Sequence, residues 1–350
     1  MKGTTRFGVL VADRKAEVHS HAIPEVGPDE VLVNNKACNI CTFDYQQWLG
    51  DRPQQPYPQA FGHEDAGVIV KVGSAVDTLK VGDHVVSNTY FPCLQCRSCL
   101  LGTNMRLCEQ GGDKTHTKNE FGYYGPYGCA EYKVLKSKHV LKIDSSVSFE
   151  DASFTEPIAT TVYGLRKMGL NANDKVLVIG AGSMGLLNAQ LARYYGTDVI
   201  VSELMEKKLA TARKMGFEKL INPTEGNFEE QVQEYTNGKG PDAIIVAVGA
   251  TKAYEQAFAV APDGCRFLIF AANFPAPEWN IDPNLVHYRL WEIYGTVGAA
   301  LSDYQRAVDI LASGELDLAN LVEARYPLAE VQKAFEHAAT VGSYRVNVKI

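Results

Sequence analysis

"VLVIGAGSMG", residues 176–185, runs a short apolar segment straight into a glycine-rich turn. Gly180, Gly182 and Gly185 stand in G-x-G-x-x-G spacing, after a predicted strand and at the opening of a predicted helix, "SMGLLNAQLARYYG". The spacing alone is weak. In this context each glycine has a role: a tight turn, close approach of the backbone to a pyrophosphate, and close packing of helix on strand. The helix N-terminus, with the N–H groups of Ser183 and Met184, is then expected to face the phosphates. The next predicted strand ends in Glu203, 18 residues after Gly185. A carboxylate there accepts hydrogen bonds from a ribose diol and repels a 2′-phosphate, so NAD is expected over NADP. Lys207 and Lys208 follow closely and pull the other way. The bland alternative is a strand–turn–helix whose glycines serve packing alone.

From about residue 174 the chain alternates strand and helix: "KVLVIGAG", "SMGLLNAQLARYYG", "DVIVSE", "LMEKKLATARKMG", then "DAIIVAVG", "KAYEQAFAVA" and "RFLIFAAN". Alternation of this kind implies an α/β domain with a doubly wound parallel sheet. The first 150 residues or so read differently. "EVLVNNKAC", "AGVIVKVG", "VGDHVVSN" and "AEYKVLKSKHVLKI" are short β-rich runs punctuated by Gly, Pro and Asp, the pattern of a barrel-like β domain. Near residue 151 the pattern turns helical, and "SFED" places a serine where it caps a helix. After about 295 come two helices and a last strand, "YRVNVKI".

The 350 residues suffice for two domains with sizeable cores. A formal charge of −7 argues against a nucleic-acid binder. No run is apolar for long enough to span a bilayer, and the N-terminus lacks a signal-peptide pattern, so no membrane partner and a cytoplasmic location are expected.

The cysteines carry more information. Cys93, Cys96, Cys99 and Cys108 fall within "CLQCRSCLLGTNMRLC", and Cys38 and Cys41 form a pair in "CNICTFDYQQW". In an intracellular chain, clustered cysteines bind metal more often than they form disulfides. Four thiolates in one loop suit a closed structural zinc site. An iron–sulfur cluster takes the same donors, but nothing else in the chain suggests electron transfer to one.

"GHEDAGVIVKVGSAV", residues 62–76, carries Gly62-His63-Glu64, Gly67, Gly73 and Val76 in the spacing of zinc-containing alcohol dehydrogenases. With the "VGDHVV" turn, the four-cysteine loop, "FTEPIAT", the glycine motif and the terminal "PLAEVQKAFE", the chain resembles the zinc-dependent medium-chain dehydrogenase/reductase family. The likeness is to its polyol and threonine dehydrogenase branch. The resemblance implies a GroES-like β-barrel catalytic domain over residues 1–154 and 295–350, interrupted by a Rossmann NAD-binding domain over 155–294. It further implies two zinc ions per chain, NAD, a small-molecule alcohol or carbonyl substrate, and a homodimer or homotetramer. Matched position by position, Cys41 and His63 correspond to catalytic zinc ligands, Glu64 to a nearby carboxylate and Glu156 to a further ligand position; either carboxylate can be the resting ligand, in exchange with water. Chemically, one thiolate, one imidazole and one or two carboxylates hold zinc while leaving a position for substrate. Cys38 is then a strand cysteine rather than a redox partner of Cys41.

Two departures stand out. Where the family has a hydroxyl two residues after the first ligand this chain has Phe43, with Thr42 one place earlier, and Gln46 replaces a frequent histidine. Neither Phe43 nor Gln46 carries a proton at neutral pH, so either another group takes it, with Glu156 or zinc-bound water as candidates, or the substrate differs from a simple alcohol. Eight residues separate Cys99 from Cys108 where seven are usual. The expected activity is hydride transfer between a secondary hydroxyl of a polyol or sugar-derived alcohol and NAD. The polyol leaning rests on Glu156 and on Tyr45, Gln46, Gln47, Trp48 and the "YYGPYG" loop, whose aromatics serve barrel packing equally well. Reduction of a ketose, ketose phosphate or other carbonyl on the same site, and a catalytically silent zinc and nucleotide sensor, are the alternatives.

Overall fold

The computed structural model describes residues 3–52, 56–88, 90, 92–111, 118–119 and 121–350. It divides into two compact units. The first comprises residues Met1–Ala159, Gly298–Gly314 and Val322–Ile350, and the second Thr160–Val297 with Glu315–Leu321.

In the second unit the glycine motif sits where the strand pattern placed it. Strand Lys175–Ile179 leads into helix Ser183–Tyr194. Six strands form one sheet, in spatial order Leu220–Ile221, Asp198–Ser202, Lys175–Ile179, Ala243–Val246, Arg266–Ile269 and Glu292–Gly295. Every pairing in it is parallel. In chain order the strands therefore lie 3-2-1-4-5-6, the doubly wound arrangement. The central strands are buried on both faces, which is why they read as unbroken Val, Leu and Ile rather than as an alternation. The reversal of strand order falls between Lys175–Ile179 and Ala243–Val246, so the glycine turn lies at the carboxyl edge where such sheets bind ligands.

The first unit is built on a seven-stranded, mainly antiparallel sheet and a smaller three-stranded one. Strand Glu30–Ile40 is central. It pairs with Glu64–Val72 on one side and with Arg345–Lys349 on the other, both antiparallel. The registers put Asn39 opposite Glu64 and Ile40 opposite Val346. A chain end more than 300 residues from Cys41 is thereby placed one strand away from it. Helix Val331–Ala338 covers this sheet; Phe335, Val331 and Ala334 pack with Cys38, Ile40, Phe61, Val346 and Val348 in one core. Trp48 stacks on Phe335 within that core, and Tyr123 and Tyr127 pack against Phe7. These contacts give Trp48, Tyr123 and Tyr127 a barrel-packing role. The physical reason is shape: a ring of this size buries most area in a core, and three segments of the first unit supply one.

Candidate metal centre and nucleotide site

Cys41 directly follows strand Glu30–Ile40 and opens helix Thr42–Leu49. The Asp44 carboxylate folds back to accept the Cys41 backbone N–H at 2.9 Å, which closes the first turn. Its other oxygen faces His63 Nδ1 at 3.6 Å, an ion-pair contact that orients the ring and leaves the second ring nitrogen for a metal. His63 immediately precedes strand Glu64–Val72, and the register brings that strand's start beside Cys41. One donor atom from each of Cys41, His63 and Glu64 lies within 4.8 Å of the others.

Around this trio the charges are buried and strongly coupled. Burial pushes the Cys41 thiol and the Asp44 carboxyl up. Burial draws His63 down, but the charges of Asp44 and Cys41 outweigh it and hold the imidazole well above its ordinary value. A bound cation inverts this balance, because a metal ligand must be a neutral imidazole or a thiolate.

Glu64 does not stand alone in the trio. Arg345 grips it with two charge-assisted bonds, Nη2 to Oε1 at 2.8 Å and Nε to Oε2 at 3.1 Å, while Nη2 also lies 3.7 Å from Cys41 Sγ. Both partners are buried. Burial opposes the Arg345 charge, and the neighbouring Glu64 and Cys41 more than restore it. Arg345 was not found in sequence reasoning; only the pairing of the last strand with Glu30–Ile40 reveals it. Glu156, in the first turn of helix Thr155–Met168, lies outside the trio of donor atoms, yet its charge raises both His63 and Arg345. Thr42 is the first residue of its helix. Phe43 sets its ring edge-on to His63, with centroids 6.0 Å apart.

The four-cysteine loop is a different kind of cluster. The donor atoms of Cys93, Cys96, Cys99 and Cys108 lie within 4.8 Å of one another, with Sγ–Sγ separations of 3.9 Å for Cys93–Cys99 and 4.0 Å for Cys96–Cys108. Those separations approach the edge of about 3.8 Å that a tetrahedron with Zn–S of about 2.3 Å requires. Backbone amides converge on the sulfurs: Cys93 and Gly111 donate to Cys108 Sγ, and Gln95 and Cys96 to Cys93 Sγ. Burial pushes Cys99 up to about 12. Burial also opposes the Cys108 thiolate, but the amide donors bring it down to about 6. Between Cys99 and Cys108 the chain makes a 3-10 turn, Met105–Leu107, capped by the Asn104 side chain.

At the glycine turn, Gly180 adopts φ +100°, and a Cβ on Gly185 would meet the Gly180 carbonyl oxygen at 1.8 Å. Gly182 differs: a Cβ there would meet only Lys208 Nζ, at 3.8 Å, so the turn is open on that side and has a cation over it. The Glu203 carboxylate is held by backbone amides. One oxygen accepts the Ala181 N–H at 2.7 Å, and the other the N–H groups of Leu204 and Met205 at 2.9 and 3.0 Å. It ties the end of its strand to the glycine turn.

Residues 27–145 match the family model described as the alcohol dehydrogenase GroES-like domain, and residues 183–313 match the zinc-binding dehydrogenase model. The chain is 33% identical over 331 residues to L-threonine 3-dehydrogenase of Pyrococcus furiosus, covering 92% of this chain and 91% of the relative. It is 28% identical to a chain of Aspergillus clavatus assigned as D-xylulose reductase A, over 94% and 92% of the two chains. A solved structure from Sinorhizobium meliloti 1021, assigned to the zinc-binding dehydrogenases and bound to NADP, superposes with a TM-score of 0.88 at 26% identity, covering 99% of this chain and all of the other. The protein therefore belongs to the zinc-containing medium-chain alcohol dehydrogenase family, and within it to the oxidoreductases of alcohol and polyol type that use zinc and a nicotinamide cofactor. No helix among the described residues is long and apolar enough to cross a membrane.

Proposed function

We propose that the protein is an NAD-linked dehydrogenase that oxidises a secondary hydroxyl of a small polyol-like or sugar-derived molecule, with one catalytic and one structural zinc per chain. The observation that carries this is the Cys41–His63–Glu64 cluster with Arg345 behind it. Its donors fit zinc: a thiolate, an imidazole oriented by Asp44, and carboxylates close by. Because Arg345 occupies both oxygens of Glu64, Glu156 is the carboxylate that completes the resting set, and Glu64 steps in only when Arg345 lets go. The four-cysteine loop fits a second zinc through its sulfur spacing, which is too tight for a cluster of several iron atoms.

When bound, zinc supplies the Lewis acidity that lowers the pKa of a coordinated hydroxyl, and NAD the hydride acceptor. The chain's own residues do the rest. Asp44 keeps the His63 ring aligned, and Arg345 keeps a second buried carboxylate from adding charge to the centre. Phe43 excludes water from one side of His63. Phe43 and Gln46 cannot take up the departing proton; the Glu156 carboxylate can once it leaves the resting set, and the Thr42 hydroxyl can pass it on.

Glu203 supports NAD over NADP: it is fixed by three backbone N–H groups beside the turn, where its charge opposes a 2′-phosphate. Lys208 over Gly182 suits the pyrophosphate common to both cofactors. The test is NADH absorbance from zinc-loaded protein with NAD or NADP and a panel of polyols, sugars, amino alcohols and simple secondary alcohols. Reduction of NAD by one class of alcohol is the expected result. Silence across the panel, with zinc and NAD both bound, removes these neutral alcohol classes and moves the assignment to another substrate class or to the zinc and nucleotide sensor.

A further inference from the structure

Phe43 replaces a hydroxyl beside the metal centre, and what it brings with it is a cation. The guanidinium of Arg52 lies over the Phe43 ring, 4.7 Å from its centroid, and the same ring meets His63 at 6.0 Å. Gln46, the other position that departs from the family pattern, accepts the Arg52 Nε–H at 3.1 Å and so fixes the guanidinium across the ring. Both departures therefore serve one feature. Arg52 is partly buried: burial weakens its charge, and the fields of Cys41 and Asp44 sustain it. A guanidinium fixed in this way beside the metal donors is the side chain best shaped to grip an oxyanion arriving with the substrate.

We propose that Arg52, seated on Phe43 and held by Gln46, is an oxyanion-recognition subsite beside the Cys41–His63 centre. The alcohol oxidised there carries a carboxylate or phosphate a few carbons from the reacting hydroxyl. This rests on the dehydrogenase function proposed above and narrows its substrate class. A hydroxyl at position 43 would hydrogen-bond a neutral substrate oxygen. A phenyl ring cannot; it acts as a spacer that sets the distance from metal to cation.

The test has two independent arms. In the first, calorimetry follows inorganic phosphate and, separately, propionate binding to the protein with NADH present, which occupies the phosphate cradle at the glycine turn. Wild type is expected to bind at least one of the two anions, and Arg52→Gln about a hundredfold more weakly, the loss expected for a charge-assisted bidentate contact. The second arm compares kcat/KM for three sets of secondary alcohols: neutral ones, 3-hydroxy acids and hydroxyalkyl phosphates. The anionic sets are expected to exceed neutral isosteres by about a hundredfold in wild type. Their advantage should collapse in Arg52→Gln, mainly through KM, and return in part in Arg52→Lys, which keeps the charge but loses the planar fork. Whichever anion binds identifies carboxylate or phosphate. Circular dichroism and zinc content confirm that the variants fold.

Anion binding indifferent to Arg52, or neutral alcohols preferred and unaffected by the substitution, overturns the subsite and leaves the dehydrogenase function standing. Arg52-dependent anion binding with no NAD reduction by any alcohol does the reverse.

Discussion

The two donor clusters of this chain are built in opposite ways. The four-cysteine loop draws every donor from sixteen consecutive residues, and its sulfurs are satisfied by amides of the same loop. The Cys41–His63–Glu64 cluster draws on two strands that pair across the barrel, and on Arg345 from a third that enters from the far end of the chain. The first is closed and nearly self-sufficient. The second keeps buried charges in check through partners that exist only after folding. On the roles proposed above, a scaffold site needs local geometry alone, whereas a site that must bind and release substrate needs its charge balance adjusted from outside.

The sharpest way to break the comparison is to remove a donor from each cluster. Cys41→Ala is expected to abolish alcohol oxidation, by a thousandfold or more on the order of what losing a Lewis-acid centre costs, with a small change in melting temperature. Cys108→Ser should instead lower metal content by one zinc and the melting temperature substantially, since a structural site contributes folding free energy outright. Elemental analysis with thermal unfolding distinguishes the two; equal effects on both readouts would erase the distinction.

Arg345→Ala comes next. It strands a buried carboxylate, which costs about 3–5 kcal/mol when one partner of a buried pair is removed. The double variant Arg345→Met with Glu64→Gln should recover much of that. Urea unfolding of the two variants measures it, and an Arg345→Ala loss below about 1 kcal/mol, the scale of an exposed pair, would mean that the pair is not the brace inferred here.

Smaller still is the effect of Glu156→Gln, which keeps the shape and removes the charge. Turnover should fall about tenfold to a hundredfold with zinc retained in part, read by kcat alongside zinc content. Unchanged turnover in zinc-loaded protein would return the ligand role to Glu64.

The smallest effect concerns pH. In metal-free protein Cys108 is depressed to about 6, below the ordinary thiol value. A depressed acid contributes stability above its unfolded pKa and loses it as pH falls through the folded one. The contribution is therefore present near pH 9 and gone by about pH 6. Cys99, pushed up to about 12, does not titrate in that window. Unfolding midpoints of the metal-free protein should thus fall from pH 9 to 6 more steeply than those of a Cys108→Ala variant; parallel curves would contradict the assignment.

Much of the molecule was legible because it is local. The glycine turn follows its strand in sequence as in space, the parallel sheet announces itself as buried Val and Ile runs, and Ser148 accepts the Asp151 N–H as its spacing predicted. Chain order alone therefore determined the two kinds of fold unit, the cysteine cluster and the positions of Cys41, His63 and Glu203. What the tertiary structure decided is who neutralises whom: Arg345 on Glu64 across 281 positions, Glu203 on three amides rather than on open solvent, Trp48 against Phe335, and Arg52 laid over Phe43. Residue spacing encodes backbone geometry, which is short-ranged. The energy of a buried charge depends on every group within several ångströms, and strand pairing draws those groups from anywhere in the chain.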